Sequence, residues 1–241
     1  MSDSPTSMAQ PFRFLPLGDA ALMVEFGNEI DPAVNARVIT FAETVGAQHW
    51  DGVLDVVPTY GSVTVHVDPL VLDVDTLTDR LRQISHVESS PKNSSERHHT
   101  IPVLYGGQFG PDLEDVAAFA KLPVAEAIRL HASILYRVYM LGFSPGFPYL
   151  GSVPPPLTMR RLATPRTMVP AGSVGIAGSQ TGIYPTATPG GWRIIGRTPI
   201  QLYRPNSAAP FLLIPGDLVQ FKPVGPREYD RLCREHHADA G

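Results

Sequence analysis

Between Gly142 and Pro226 the chain carries 15 of its 25 prolines and 12 of its 21 glycines, a density that forbids a helical architecture there. Proline removes a backbone donor and breaks helix interiors, and glycine weakens helix and strand alike. Between these residues stand short apolar runs: Val174-Gly-Ile176, Ile194-Ile195, Leu202-Tyr203, Leu212-Leu213-Ile214 and Val219-Gln-Phe221. Short strands bounded by turn residues make a β-barrel or sandwich.

Upstream the periodicity is different. Phe12 and Phe14, then Leu22, Val24 and Phe26, alternate as strands around the Gly18-Asp19 turn. Asp31-Pro32 offers a cap and a first-turn proline to a helix with Val34, Val38, Phe41 and Val45 on one side. Val53 to Val57 and Val63, Val65, Val67 predict two more strands, and Leu77, Leu81 and Ile84 line a second helix. The order is ββαββα, a small α+β unit. Glu88 to His98 reads as a polar linker. After it come a strand at Ile101 to Tyr105, helices at Asp112 to Lys121 and Val124 to Ala132, and a strand at Ile134 to Leu141. The expected division is an N-terminal domain over 1–90, a barrel domain over 91–227 and a polar, frayed tail over 228–241.

Charge separates the same two regions. Residues 1–95 hold 13 acids and five bases, and residues 96–241 hold ten acids and 14 bases. Within the second region, the 90 residues from Ala127 to Gly216 contain eight arginines and no aspartate or glutamate. A guanidinium is permanently charged and donates two parallel hydrogen bonds, so a small anionic substrate, or an acidic partner surface, is expected there. Proton transfer commonly uses carboxylates or histidine. The acid–base groups are therefore expected on another chain.

Several classes are disfavoured. The single cysteine, Cys233, allows no internal disulfide, and no apolar run approaches the roughly 20 residues that span a bilayer. Met1–Gln10 is polar, unlike a secretory signal, so a cytoplasmic location is expected. Sparse aromatic–basic interleaving and a net charge of −4 argue against nucleic acid. No phosphate-binding Gly-x-x-x-x-Gly-Lys-Ser/Thr occurs. Ser144 sits in Gly142-Phe-Ser-Pro-Gly146, but Pro145 lacks the N–H that a hydrolase elbow needs. The pairs His98-His99 and His236-His237 read as solvated rather than metal-binding, and His66 as an outward residue of its strand. The polar and aromatic side chains that could converge on a ligand are Arg166, Ser173, Gln180, Tyr184, Trp192, Arg193 and Arg197.

Gly142-Phe-Ser-Pro-Gly-Phe-Pro-Tyr-Leu-Gly151, Pro165-Arg166, Val169-Pro-Ala-Gly-Ser173, Gln180-Thr-Gly-Ile-Tyr-Pro185, Pro189-Gly-Gly-Trp192, Gly196-Arg-Thr-Pro199 and Pro215-Gly-Asp217 resemble the family of 5-oxoprolinase B-type subunits. That family also covers a sporulation-kinase inhibitor and allophanate hydrolase subunit 1. The resemblance implies an N-terminal α+β domain and a cyclophilin-like β-barrel. It implies partners, the homologous C-type and the A-type subunits of 5-oxoprolinase, and conversion of 5-oxo-L-proline to L-glutamate with ATP shared with or held by a partner. Arg166 matches the family pattern, whereas Thr158-Met-Arg-Arg-Leu-Ala163 departs from it at Arg160 and Arg161. Two alternatives stand beside this reading: inhibition of a sensor histidine kinase, and half of a biotin-dependent carboxyltransferase of the urea or allophanate type. The second would need its biotin from another chain.

Overall fold

A computed structural model describes residues 12–85 and 97–238. The polar N-terminus and most of the linker lie outside these residues. The chain separates into two compact units, Met1–Ser94 and Ser95–Gly241.

In the first unit, β1 (Arg13–Pro16), β2 (Ala21–Glu25), β3 (Val53–Pro58) and β4 (Ser62–Val67) form an antiparallel sheet of order β1-β2-β4-β3. Helices α1 (Pro32–Gly46) and α2 (Val74–Ser85) complete the ββαββα order. Asp31 caps α1 by accepting from the backbone N–H of Ala33 and Val34, at 2.7 and 2.9 Å. The alternating residues Leu22 and Val24, with Val63, Val65 and Val67, are buried with Val38, Phe41, Leu77 and Leu81 in one core. His66 is exposed on the other face, as the alternation requires.

The second unit contains β5 (His98–Tyr105), α3 (Leu113–Ala120), α4 (Val124–Ala132), β6 (Leu135–Leu141), β7 (Pro148–Gly151), β8 (Arg166–Val169), β9 (Ser173–Ala177), β10 (Gln180–Ile183), β11 (Thr188–Gly190), β12 (Arg193–Arg197), β13 (Leu218–Pro223) and α5 (Pro226–Ala238). Seven of the strands close a barrel in the order β10-β7-β6-β13-β5-β12-β9. The remaining pair, β8 and β11, is a separate two-stranded ladder. Closure leaves the barrel without an open edge.

Three expectations change. Leu202 and Leu213 are buried in the barrel core without belonging to strands, since prolines and loops surround them. The segment from Glu228, expected to fray, forms α5, and its Tyr229 packs on Phe109 with ring centroids 5.0 Å apart. His99 is not solvated: its Nε2 lies 3.1 Å from the Asp217 carboxylate, which Arg97 also holds. Asp217 is buried, and the Arg97 guanidinium and the His99 imidazole meeting on it tie the start of β5 to the turn before β13.

Candidate functional site

Strand alternation sorts the barrel's side chains. Val174 and Ile176 of β9, Ile183 of β10 and Ile195 of β12 join the interior core with Val103, Val138 and Phe221. Their neighbours Ala177, Ile194, Tyr184 and Trp192 belong to a second cluster with Phe147, Val169 and Tyr149. The outer face of this part of the barrel therefore carries an aromatic layer. Phe147 meets Tyr184 at 5.1 Å and Trp192 at 5.3 Å, both edge to face. Glycines make the room. A Cβ on Gly182 would stand 2.9 Å from Phe147 Cζ, and one on Gly190 would stand 2.4 Å from the Tyr184 hydroxyl. Phe143, with φ of 63° and 62% exposure, stands edge-on over Phe147 and Tyr184. A bulky residue in the left-handed region is uncommon and concentrates at functional sites.

The arginines around this layer differ in what holds them. Arg166 Nη2 donates to Asp112 Oδ1 at 2.8 Å, and the other Asp112 oxygen accepts from the Ile194 N–H at 2.6 Å. Asp112 is only 4% exposed, so its charge is committed to Arg166 and the β12 backbone. Arg193 faces Asp115 across 3.5 Å. Arg129 is bound by Glu126. The arginines of the acid-free stretch thus pair with acids from residues 112–126 of their own chain, just outside its bounds.

Arg161 is different. Its Cζ lies 6.0 Å from the centre of the Trp192 ring, and among the described residues it has no ion pair and no hydrogen bond. Its charge also acts on two phenols. Burial pushes the Tyr149 and Tyr184 hydroxyls above the ordinary tyrosine range; a backbone hydrogen bond at Trp192 and then the charge of Arg161 pull Tyr184 partly back, and the charge of Arg161 pulls Tyr149 partly back. Both hydroxyls are neutral at physiological pH, and a neutral phenol is able to donate to an anion. One uncommitted guanidinium, one indole face and two phenols make an anion-binding geometry with an apolar floor.

The remaining expected residues are distributed around this centre. Gln180 starts β10 on the same face as Tyr184, by alternation from Thr181 and Ile183. Ser173 and Arg197 are directly opposed across β9 and β12. Ser173 Oγ and Arg197 Nε are buried without a hydrogen-bond partner, and Arg197 lies over the Phe109 ring at 5.2 Å. This pair faces Phe109 rather than Arg161. Arg166, Tyr184 and Trp192 gather around the aromatic layer, where Asp112 holds Arg166, whereas Arg193 makes only 3.5 Å contacts, to Asp115 and to the Arg160 carbonyl.

Inside the barrel lies a histidine that the sequence marked only as the single histidine of the acid-free stretch. His131 of α4 is 1% exposed; its Nδ1 is 2.8 Å from the Tyr105 hydroxyl and its Nε2 is 3.0 Å from Thr181 Oγ1. Thr181 donates its own hydrogen to the Gly175 carbonyl at 2.9 Å. It can then only accept from His131, which places the imidazole proton on Nε2 and makes Tyr105 the donor to Nδ1. Phe221 stacks on the ring at 4.7 Å. Burial drives the His131 pKa down to about 3 and the Tyr105 pKa well up, so both groups are neutral. The chain of donors is fully satisfied and enclosed, a device for fixing the end of α4 to the barrel.

A seven-stranded barrel carrying an outer aromatic layer, with a separate ββαββα unit, defines a class, and sequence comparison agrees with it. The chain belongs to the family described as carboxyltransferase domain, subdomain C and D, which matches residues 12–213. Within that family it belongs with the B-type subunits of 5-oxoprolinase. It is 40% identical over 233 residues to the B-type subunit of 5-oxoprolinase from Bacillus subtilis, covering 91% of this chain and 95% of that one. Against the corresponding 5-oxoprolinase subunit from Escherichia coli O157:H7 it is 42% identical, covering 86% and 94%. The crystal structure of TTHA0988 superposes with a TM-score of 0.76 at 38% identity; the match covers 87% of this chain and 41% of that longer one.

Proposed function

We propose that this chain is one subunit of an ATP-dependent 5-oxoprolinase that is inactive by itself, and that its barrel holds the carboxylate of 5-oxo-L-proline at Arg161. The observation that carries the reading is the uncommitted Arg161 guanidinium over Trp192, beside the Tyr149 and Tyr184 hydroxyls. The relatives named as 5-oxoprolinase subunits support the reaction class, and the word subunit itself supports a larger assembly. In this scheme Arg161 receives the carboxylate through two parallel hydrogen bonds, and the Trp192 face covers the apolar side of the ring. A phenol hydroxyl can donate to the lactam carbonyl, where negative charge grows during attack by water.

Opening the lactam also needs a base for water and an acid for the departing nitrogen. Asp112 is committed to Arg166 and the Ile194 N–H, and His131 is enclosed in the barrel core. Neither is free to serve, so the proton-transfer groups, together with the co-substrate ATP, are assigned to partner subunits of the C and A types. The absence of a lysine-bearing phosphate loop supports that division. The test is to tag this chain, identify the proteins that copurify, and measure glutamate release from 5-oxoproline with ATP. The assembly should turn over and the isolated chain should not. Turnover by the isolated chain at the rate of the assembly would overturn the reading.

A further inference from the structure

Arg160 and Arg161 follow the isolated bridge that Met159 makes with Gly178, and they enter different surroundings. Arg161 reaches the aromatic layer, whereas Arg160 reaches an open cleft of about 320 Å³ lined by Phe119, Thr158, Met159, Arg160, Gly178 and Arg193. The walls are fixed by backbone contacts. Met159 bridges Gly178, whose N–H donates to the Met159 carbonyl at 2.8 Å, and Leu162 N–H donates to the Gly191 carbonyl at 2.7 Å. Phe119, at the end of α3, is 58% exposed beside this depression.

The chemistry of the lining is specific. Met159 and Phe119 supply apolar surface, Gly178 leaves space, and Thr158 brings one hydroxyl. At the rim stand two guanidiniums. Arg160 has no ion pair among the described residues. Arg193 meets the exposed Asp115 only at 3.5 Å, and its Nε reaches the Arg160 carbonyl only at 3.5 Å, both longer than a strong charge-assisted bond. The volume lies at the lower end of ligand pockets. With so few polar groups on the floor, a lactam or a sugar would lose hydrogen bonds on entry, whereas a hydrocarbon body would not.

We propose that this cleft is a second ligand site, separate from the aromatic layer, that binds a small monocarboxylate with a compact hydrocarbon body, the carboxylate at Arg160 and Arg193 and the body against Met159 and Phe119. The inference does not depend on the 5-oxoprolinase reading, because it uses neither Arg161 nor any partner. It adds a site for a free carboxylic acid on the same chain.

The test uses the full chain with methyl-labelled methionine, titrated by NMR with cyclopentanecarboxylate. The Met159 methyl signal is assigned from its loss in M159L. The expected result is a saturable shift of that methyl with a dissociation constant of about 1 mM. R160A should weaken the binding about fivefold or more, and cyclopentanecarboxamide should not compete. R161A should leave the titration unchanged. Arg160 is exposed, so R160A tests the site without threatening the fold. An unmoved Met159 methyl, equal binding by R160A, or equal binding of the neutral amide would each overturn the proposal. Loss of binding in R161A would merge this cleft with the carboxylate site above and overturn its independence.

Discussion

His131 makes the stability of the barrel unit depend on pH, by an amount that can be worked out. In the unfolded chain the imidazole titrates near its ordinary value of about 6.5. In the folded barrel burial lowers it to about 3. Between those values the unfolded state binds a proton that the folded state refuses, so stability is fully present above about pH 6.5 and is lost as pH falls toward 3. From pH 7 to pH 5 the loss from this one group is about 2 kcal/mol. Denaturant unfolding followed through Trp192 reads the barrel unit alone once the other tryptophan is replaced, in a Trp50→Phe background. The comparison is W50F against W50F/H131Q at pH 7, 6 and 5. The glutamine variant starts less stable, because it gives up the ring stacked on Phe221, but its profile should be flatter by about 2 kcal/mol over that range. Parallel profiles would refute the reasoning, and would mean that His131 takes up its proton in the folded barrel as readily as in the unfolded chain.

Two further substitutions separate architecture from site. Asp112→Ala leaves the Arg166 charge and the Ile194 N–H without their partner, and the barrel should lose about 3 kcal/mol in denaturant unfolding; a loss below about 1 kcal/mol would show that the pair is not structural. Phe143→Ala removes an exposed ring held at positive φ, so stability should change by less than about 1 kcal/mol. The same variant should lower turnover of the assembly, and unchanged turnover would remove Phe143 from the site.

Much of this was legible in the sequence. The two-residue alternation of Leu22-Val24 and Val63-Val65-Val67 marked out the first sheet, because one face of it is buried. The proline and glycine density after Gly142 foretold short strands, and the packing of Phe147 and Tyr184 explains why glycines stand at 182 and 190. What escaped were relations across long sequence distances. Arg166 looked like the natural anion fork because it matches the family pattern, yet Asp112, 54 residues earlier, occupies it. Arg161 looked doubtful for departing from that pattern, and only the fold reveals that its neighbours leave it uncommitted. His131 carried no motif at all, since Tyr105 and Thr181 reach it from two different strands. Residues 228–238 are mostly polar, and their helix rests on packing such as that of Tyr229 on Phe109, which composition does not reveal.

The central claim is that Arg161 holds the substrate carboxylate. It is tested most directly by steady-state kinetics of the copurified assembly carrying Arg161→Ala, with Arg161→Lys as the conservative comparison. The account predicts that the alanine variant assembles and melts as the parent does, while kcat/KM for 5-oxoproline falls about ten- to hundredfold, mainly through KM, with partial recovery in the lysine variant. Unchanged kinetics in the alanine assembly would contradict it.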